Sequence, residues 1–197
     1  MTVTEEFQKI FNETILPYIK THVIPSHATE PLFYTLEKTS NKFRSATALL
    51  AARLCQGEAE NVLPIAAVSE IIHSSIIIQD DIVDNDTIRR GKEAAWKKYG
   101  LCFALHSSLH IIPECFKLLA RLQSPHADQI IERFMQSYQE VCIAQSDQSL
   151  MPLVKEIPYK SFLDIHLGKT VLGRFAITTP ALFLWQRRRN GYLGRIC

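Results

Sequence analysis

Residues 73–100 read HSSIIIQDDIVDNDTIRRGKEAAWKKYG, and this stretch decides the fold. An apolar run of helical period ends in the aspartates Asp80, Asp81, Asp84 and Asp86, and Arg89 and Arg90 follow about one turn later. At about 100° per residue, Asp80 and Asp84 share one helix face, while Asp81 sits to the side and can lean toward the same point. His73 precedes Asp80 by two turns on that face, roughly 10 Å along the axis. Two carboxylates about 5 Å apart repel by roughly 3 kcal/mol at an effective dielectric near 20. Such a cluster at the end of an apolar helix needs a cation or partial protonation. Oxygen-only ligands point to magnesium, with manganese or calcium as lesser options. The plainer alternative is a solvated acidic loop held by local Asp–Arg pairs. The D-x-D-x-D-G calcium loop is not met, because the spacing is wrong and no glycine follows in place.

Outward from this stretch the period is helical nearly throughout. Residues 5–22 repeat apolar side chains at Phe7, Ile10, Phe11, Ile15 and Leu16, and Pro25 and Pro31 break the chain into a short connector. Residues 43–55 form an alanine- and leucine-rich helix that ends at Gln56-Gly57, a C-cap. A long helix spans 62–86; it is apolar on most faces from 71 to 78, which predicts a central, buried position. Residues 103–122 form a helix with Pro113 inside, which predicts a kink. Ser124-Pro125 opens the next helix, to about residue 149, and Pro158 opens a last one, from 159 to about 179. No strand alternates convincingly. The expectation is one all-α domain over residues 1–184. From 186 the text is QRRRNGYLGRIC, without apolar period and with only positive charge, so 185–197 is expected to be an irregular basic tail.

Composition excludes several classes. A net charge of +2 over 197 residues makes no electrostatic case for nucleic acid. Seven glycines argue against a glycine-rich nucleotide fold, a sandwich or a barrel. The five cysteines, Cys55, Cys102, Cys115, Cys142 and Cys197, include no C-x-x-C pair, so neither zinc nor a disulfide framework is indicated. A reducing, cytoplasmic setting follows. No run of 18 apolar residues appears, so no transmembrane segment is expected.

Other groupings are weaker. Lys42 and Arg44 begin a helix, where cations oppose the macrodipole; they are a surface basic pair, or they meet an anion together with the free N–H groups. Gly168-Lys169-Thr170 ends like a phosphate loop, but the required earlier glycine falls at Leu163. Lys169 remains a cation on an apolar helix face. His73 alone reads as a core histidine. His106 and His110 have zinc-like spacing without a third ligand.

Together these residues resemble the trans-prenyl diphosphate synthase family. Asp80-Asp81-Ile82-Val83-Asp84 is similar to its first aspartate-rich motif, D-D-x-x-D, and Arg89-Arg90-Gly91-Lys92 to the R-R-G-K that follows. Trp96 to Gly100 matches H-K-K-F-G, residues 40–45 fall on G-K-R-L-R-P, Lys169-Thr170 falls on a later K-T, and Gln145 lies near a G-Q segment. The resemblance implies an isoprenoid-synthase-type bundle of antiparallel helices around a central apolar cavity. It implies condensation of isopentenyl diphosphate with an allylic diphosphate, dependent on Mg²⁺. In that reading Asp80, Asp81 and Asp84 hold the metal, with Lys169 and Thr170 beside them and Arg89 assisting at the allylic diphosphate. Lys42, Arg44, His73 and Arg90 hold the isopentenyl diphosphate. Non-aromatic Ser75 and Ile76 before Asp80 imply a product of twenty carbons or more. The full-length family form implies a homodimer.

The chain departs from the pattern in three places. The lysine of G-K-R falls at Asn41, with Lys42 in place of the arginine. Gln79 replaces a histidine. No second D-D-x-x-D is present. The expectation is therefore an N-terminal part, incomplete at the C-terminus. A terpene cyclase-like relative and a non-catalytic partner subunit of a prenyl synthase stand as alternatives.

Overall fold

A computed structural model describes residues 2–37, 42–122, 124, 126–153 and 156–193, with side chains described except at 182, 183 and 185–193. The chain begins with α1 (Val3–Ile10), which runs through a wide turn (Phe11–Ile15) into α2 (Leu16–His22). Then come α3 (Glu30–Leu36), α4 (Phe43–Leu54), α5 (Leu63–Val83), a hairpin of β1 (Ile88–Arg89) and β2 (Lys92–Glu93), α6 (Ala95–Tyr99), α7 (Leu101–Leu119), α8 (Ala127–Leu150) and α9 (Tyr159–Leu193). The architecture is an all-α bundle, as the helical period requires.

Helix α5 is its axis. Ile65, Ala66, Ala67, Val68, Ile71, Ile72 and Ile78 are fully buried, because α3, α4, α7 and α9 pack around them. Each buried isoleucine contributes roughly 1.5–3 kcal/mol over an exposed one. Residues 59–83 are long and apolar enough to cross a membrane by length and composition, yet most of that stretch is covered by the other helices. Phe134 of α8 meets Phe116 of α7 and Phe175 of α9 edge-on, with ring centroids 5.9 and 5.7 Å apart, which pins three helices at one point.

Several boundaries differ from expectation, each for a local reason. Helix α5 stops at Val83 because Asn85 takes the left-handed conformation (φ 55°). Asn85 N–H then donates to Ile82 O and Asp86 N–H to Asp81 O, at 3.3 and 2.8 Å, the double bond of a Schellman cap. At the end of α4 the left-handed residue is Gln56 (φ 54°), not Gly57. Gly57 is required for space instead, since a Cβ there would lie 2.3 Å from Leu184 Cδ1. R-R-G-K folds as a hairpin too short to show alternation. Arg90 and Gly91 both have positive φ (54° and 75°), the two-residue turn whose twist suits antiparallel strands. The backbone of α9 stays helical to Leu193, past the point where an irregular tail is expected. Arginine, glutamine and leucine favour helix even without an apolar stripe; residues 194–197 lie outside the described residues.

Helices α8 and α9 are antiparallel and unusually close. Glu140 pairs with Arg174, and further along Gln148 meets Lys169. Between these contacts Gly168 faces Ala144, where an added Cβ would sit 2.7 Å from the alanine Cβ. Gly168→Val is expected to cost about 2 kcal/mol by overpacking in chemical denaturation. Combination with Ala144→Gly should restore part of the loss.

Candidate functional site

The second half of α5 carries two charged regions, one at Asp80 and Asp84 and one about two turns earlier at His73. At its end, Asp80 and Asp84 line a cavity of about 420 Å³ between α5 and α8. Its walls include Ile76, Tyr138, Val141 and Cys142, and its polar rim includes Gln145, Gln148 and Ser149. The Gln145 amide of α8 donates to the Asp80 carboxylate, and Lys169 of α9 donates to Gln148 Oε1 one turn further along α8. Burial raises the Asp80 carboxyl above its ordinary range; Lys169 and Gln145 oppose the rise, and Asp84 adds to it.

Asp81 does not join them. Its side chain is buried and paired with Arg89, whose Nε donates at 2.6 Å to Asp81 Oδ1 and whose Nη2 reaches Asp86 Oδ2 at 3.1 Å. One residue beyond Asp80 is a 100° rotation, and the hairpin supplies a guanidinium on that side. The three carboxylates therefore do not converge. Among the described residues no group of three His, Cys, Asp or Glu side chains does. Half-buried Asp80 and exposed Asp84 still fit a hard divalent cation by donor type.

About two turns before Asp80, the charges of Arg44, Arg90, Lys42 and Arg89 act on His73. Burial holds its imidazole down to about 3, and the nearby charges of Arg44, Arg90, Lys42 and Arg89 push the same way. At physiological pH the His73 imidazole is therefore a neutral group and not a cation. Arg44 Nε is buried and has no hydrogen-bond partner. Arg90 sits in the hairpin turn, and burial and Arg89 both lower its basicity. Lys42 is turned inward: its ammonium donates to Leu36 O, lies 4.1 Å from the Phe11 ring centroid, and is lowered to about 8 by burial. Ser40 and Asn41 lie outside the described residues.

Two expected roles move. Ser75 faces α7, where its hydroxyl donates to Ser108 O at 2.8 Å, so it does not line the cavity; Ile76, one turn below Asp80, does. Thr170 donates to Leu167 O and lines a separate groove with Glu140, Ile143 and Arg174, a 100° turn away from Lys169. Sequence reasoning missed Glu70, a buried carboxylate three residues before His73. It accepts from Ser45 N–H at 3.0 Å and Ser45 Oγ at 3.1 Å. A lone glutamate inside an apolar helical run was the available signal.

Both shifts carry a sign. Folding raises the Asp80 pKa, so the contribution of this group to stability is present at low pH and lost as pH rises through the folded value. Asp80→Asn is expected to raise the thermal midpoint of the metal-free chain at neutral pH. Folding lowers the His73 pKa, so its contribution is complete above the unfolded value and lost as pH falls below about 6.5. The His73 imidazole proton resonances should stay fixed between about pH 8 and 5 while exposed histidines titrate.

Comparison with known proteins places this geometry. The chain matches the polyprenyl synthetase family over residues 25–189. It is 28% identical over 129 residues to geranylgeranyl diphosphate synthase of Mycobacterium tuberculosis, covering 65% of this chain and 37% of the relative. It is 26% identical over 143 residues to heptaprenyl diphosphate synthase component 2 of Geobacillus stearothermophilus, covering 73% and 44%. A crystal structure of geranylgeranyl pyrophosphate synthase superposes with a TM-score of 0.85 at 20% identity, over 93% of this chain and 56% of that one. The archaeal enzyme of Geoglobus acetivorans gives 0.84 at 20% identity, over 92% and 60%. The chain thus spans less than half the length of these two curated relatives.

Proposed function

Because this chain belongs to the polyprenyl synthetase family, we propose that it is the part of a prenyltransferase that binds isopentenyl diphosphate and an allylic diphosphate and joins them. The observation that carries the reading is the division of α5. One face presents Asp80 and Asp84 to an apolar-walled cavity, and the cations Arg44 and Arg90 gather around His73 about two turns away. An allylic diphosphate would lay its chain along Ile76, Tyr138 and Val141. Asp80 and Asp84 would hold magnesium, which when bound supplies positive charge for the departing diphosphate. Lys169 adds a fixed cation near Asp80. Arg44, Arg90 and neutral His73 would hold the isopentenyl diphosphate so that its double bond faces the allylic carbon. The allylic C–O bond breaks, a C–C bond forms, one proton is lost, and inorganic diphosphate leaves.

A product of twenty carbons or more is supported by aliphatic Ile76 beneath Asp80 and by the name of the mycobacterial relative. Ser75 no longer contributes to that argument. A cytoplasmic setting is supported by the free thiols of Cys55, Cys102, Cys115 and Cys142. Homodimer formation is supported by Leu101 and Leu109, both exposed on α7. A second reading, a non-catalytic partner of a longer synthase, is favoured by the "component" in the name of the heptaprenyl relative and by the missing third carboxylate. Co-purification with an active synthase would establish it.

The test is calorimetric titration with ten-, fifteen- and twenty-carbon allylic diphosphates, with and without Mg²⁺, alongside an assay of product length. Asp84→Ala should weaken Mg²⁺-dependent binding by about tenfold or more, a cost near 1.4 kcal/mol. Ile76→Phe should lose the twenty-carbon ligand before the ten-carbon one. Equal affinities with and without Mg²⁺ would overturn the metal role.

A further inference from the structure

The cations around His73 repel one another, and the group that offsets them is Glu70. Its carboxylate is the largest favourable charge acting on Arg44 and on Lys42, and it also favours the charged form of Arg90. It is buried at 4% exposure. Both of its recorded hydrogen bonds come from Ser45, one from the backbone N–H and one from the hydroxyl.

Ser45 is the third residue of α4, and Lys42 at the N-cap position has a left-handed backbone (φ 46°) and offers no side-chain cap. The free N–H of the first turn is therefore satisfied from another helix, by Glu70. One carboxylate does two jobs: it closes the start of α4, and it holds the helix carrying Arg44 at a fixed distance from α5, which carries His73. Arg44 Nε is left buried with a donor to spare, a cost that a bound anion would remove.

Resting on the diphosphate reading above, we infer that Glu70 is a positioning residue for the isopentenyl diphosphate: a buried anion that preassembles an anion-binding site. The sign of its effect separates this from simple electrostatics. A negative charge beside an anion site should weaken binding, so its removal should strengthen it. A positioning carboxylate predicts the reverse, because without it α4 loses its cap and Arg44 and Arg90 spread apart.

The experiment titrates the full chain with isopentenyl diphosphate without metal, and separately with geranyl diphosphate plus Mg²⁺, which reports the Asp80 side. Glu70→Gln keeps the shape and an acceptor for Ser45 but removes the charge. It is expected to weaken isopentenyl diphosphate binding by about two- to tenfold, the range of one ordinary hydrogen bond, and to leave Mg²⁺–geranyl diphosphate within about twofold. Equal or tighter isopentenyl diphosphate binding overturns the inference. So does an equal loss of both ligands, which marks Glu70 as merely structural. If Glu70→Gln does not fold, Ser45→Ala decides, since it keeps the charge and removes one of two anchors. A weakening confined to isopentenyl diphosphate supports the inference, and no change overturns it. A wild-type chain that binds neither ligand sinks the functional reading itself and the inference with it.

Discussion

Asp81 is buried in the last turn of α5, and its charge is compensated by Arg89 from the hairpin eight residues on. A carboxylate in that position without its partner would cost several kcal/mol. The pair therefore fixes where the hairpin lies, and the hairpin in turn carries Arg90 to the cations around His73. Trp96 Nε1 donating to Asp86 O, and Tyr34 donating to Glu93 O, hold the hairpin from its other side. Once Asp81 is spent on this joint, Asp80 and Asp84 are left to the cavity. The division into one aspartate that builds and two that line the cavity comes from a single ion pair.

The bundle explains how opposite charges coexist so near one another. Acid and base are set apart along α5, with His73 about two turns before Asp80. Each set is stabilised by a group of opposite sign from another element: Lys169 and Gln145 for Asp80, and Glu70 for the cations. Neither set is neutralised fully. What is left over is excess negative charge at the cavity and excess positive charge around His73.

Much of this was legible in the sequence, and the parts that were not share a cause. The burial of α5 follows from an apolar run that covers most faces, and the link between Asp80 and Gln145 lies close to a motif that could be read. Periodicity reports which face a residue shares; it says nothing of which partner arrives there. The D-D-x-x-D resemblance makes Asp81 a metal ligand, and local Asp–Arg pairing is the alternative that the Arg89 contact takes up. Ser75 was read as a cavity residue, although five positions before Asp80 is about 140° away from it, whereas Ile76 is within about 40°. Glu70 was overlooked because its partner Ser45 is on another helix, 25 residues distant. The end of α4 at Gln56-Gly57 is legible, whereas the end of α5 at Asn85 is not, because glycine is the usual marker of a left-handed residue and an amide takes its place there.

Arg90 occupies a turn whose geometry suits asparagine or glycine, and a left-handed arginine costs about 1–2 kcal/mol against them. Folding alone therefore pulls position 90 toward a smaller residue. A lineage released from its chemistry would drift that way within few substitutions and become more stable for it.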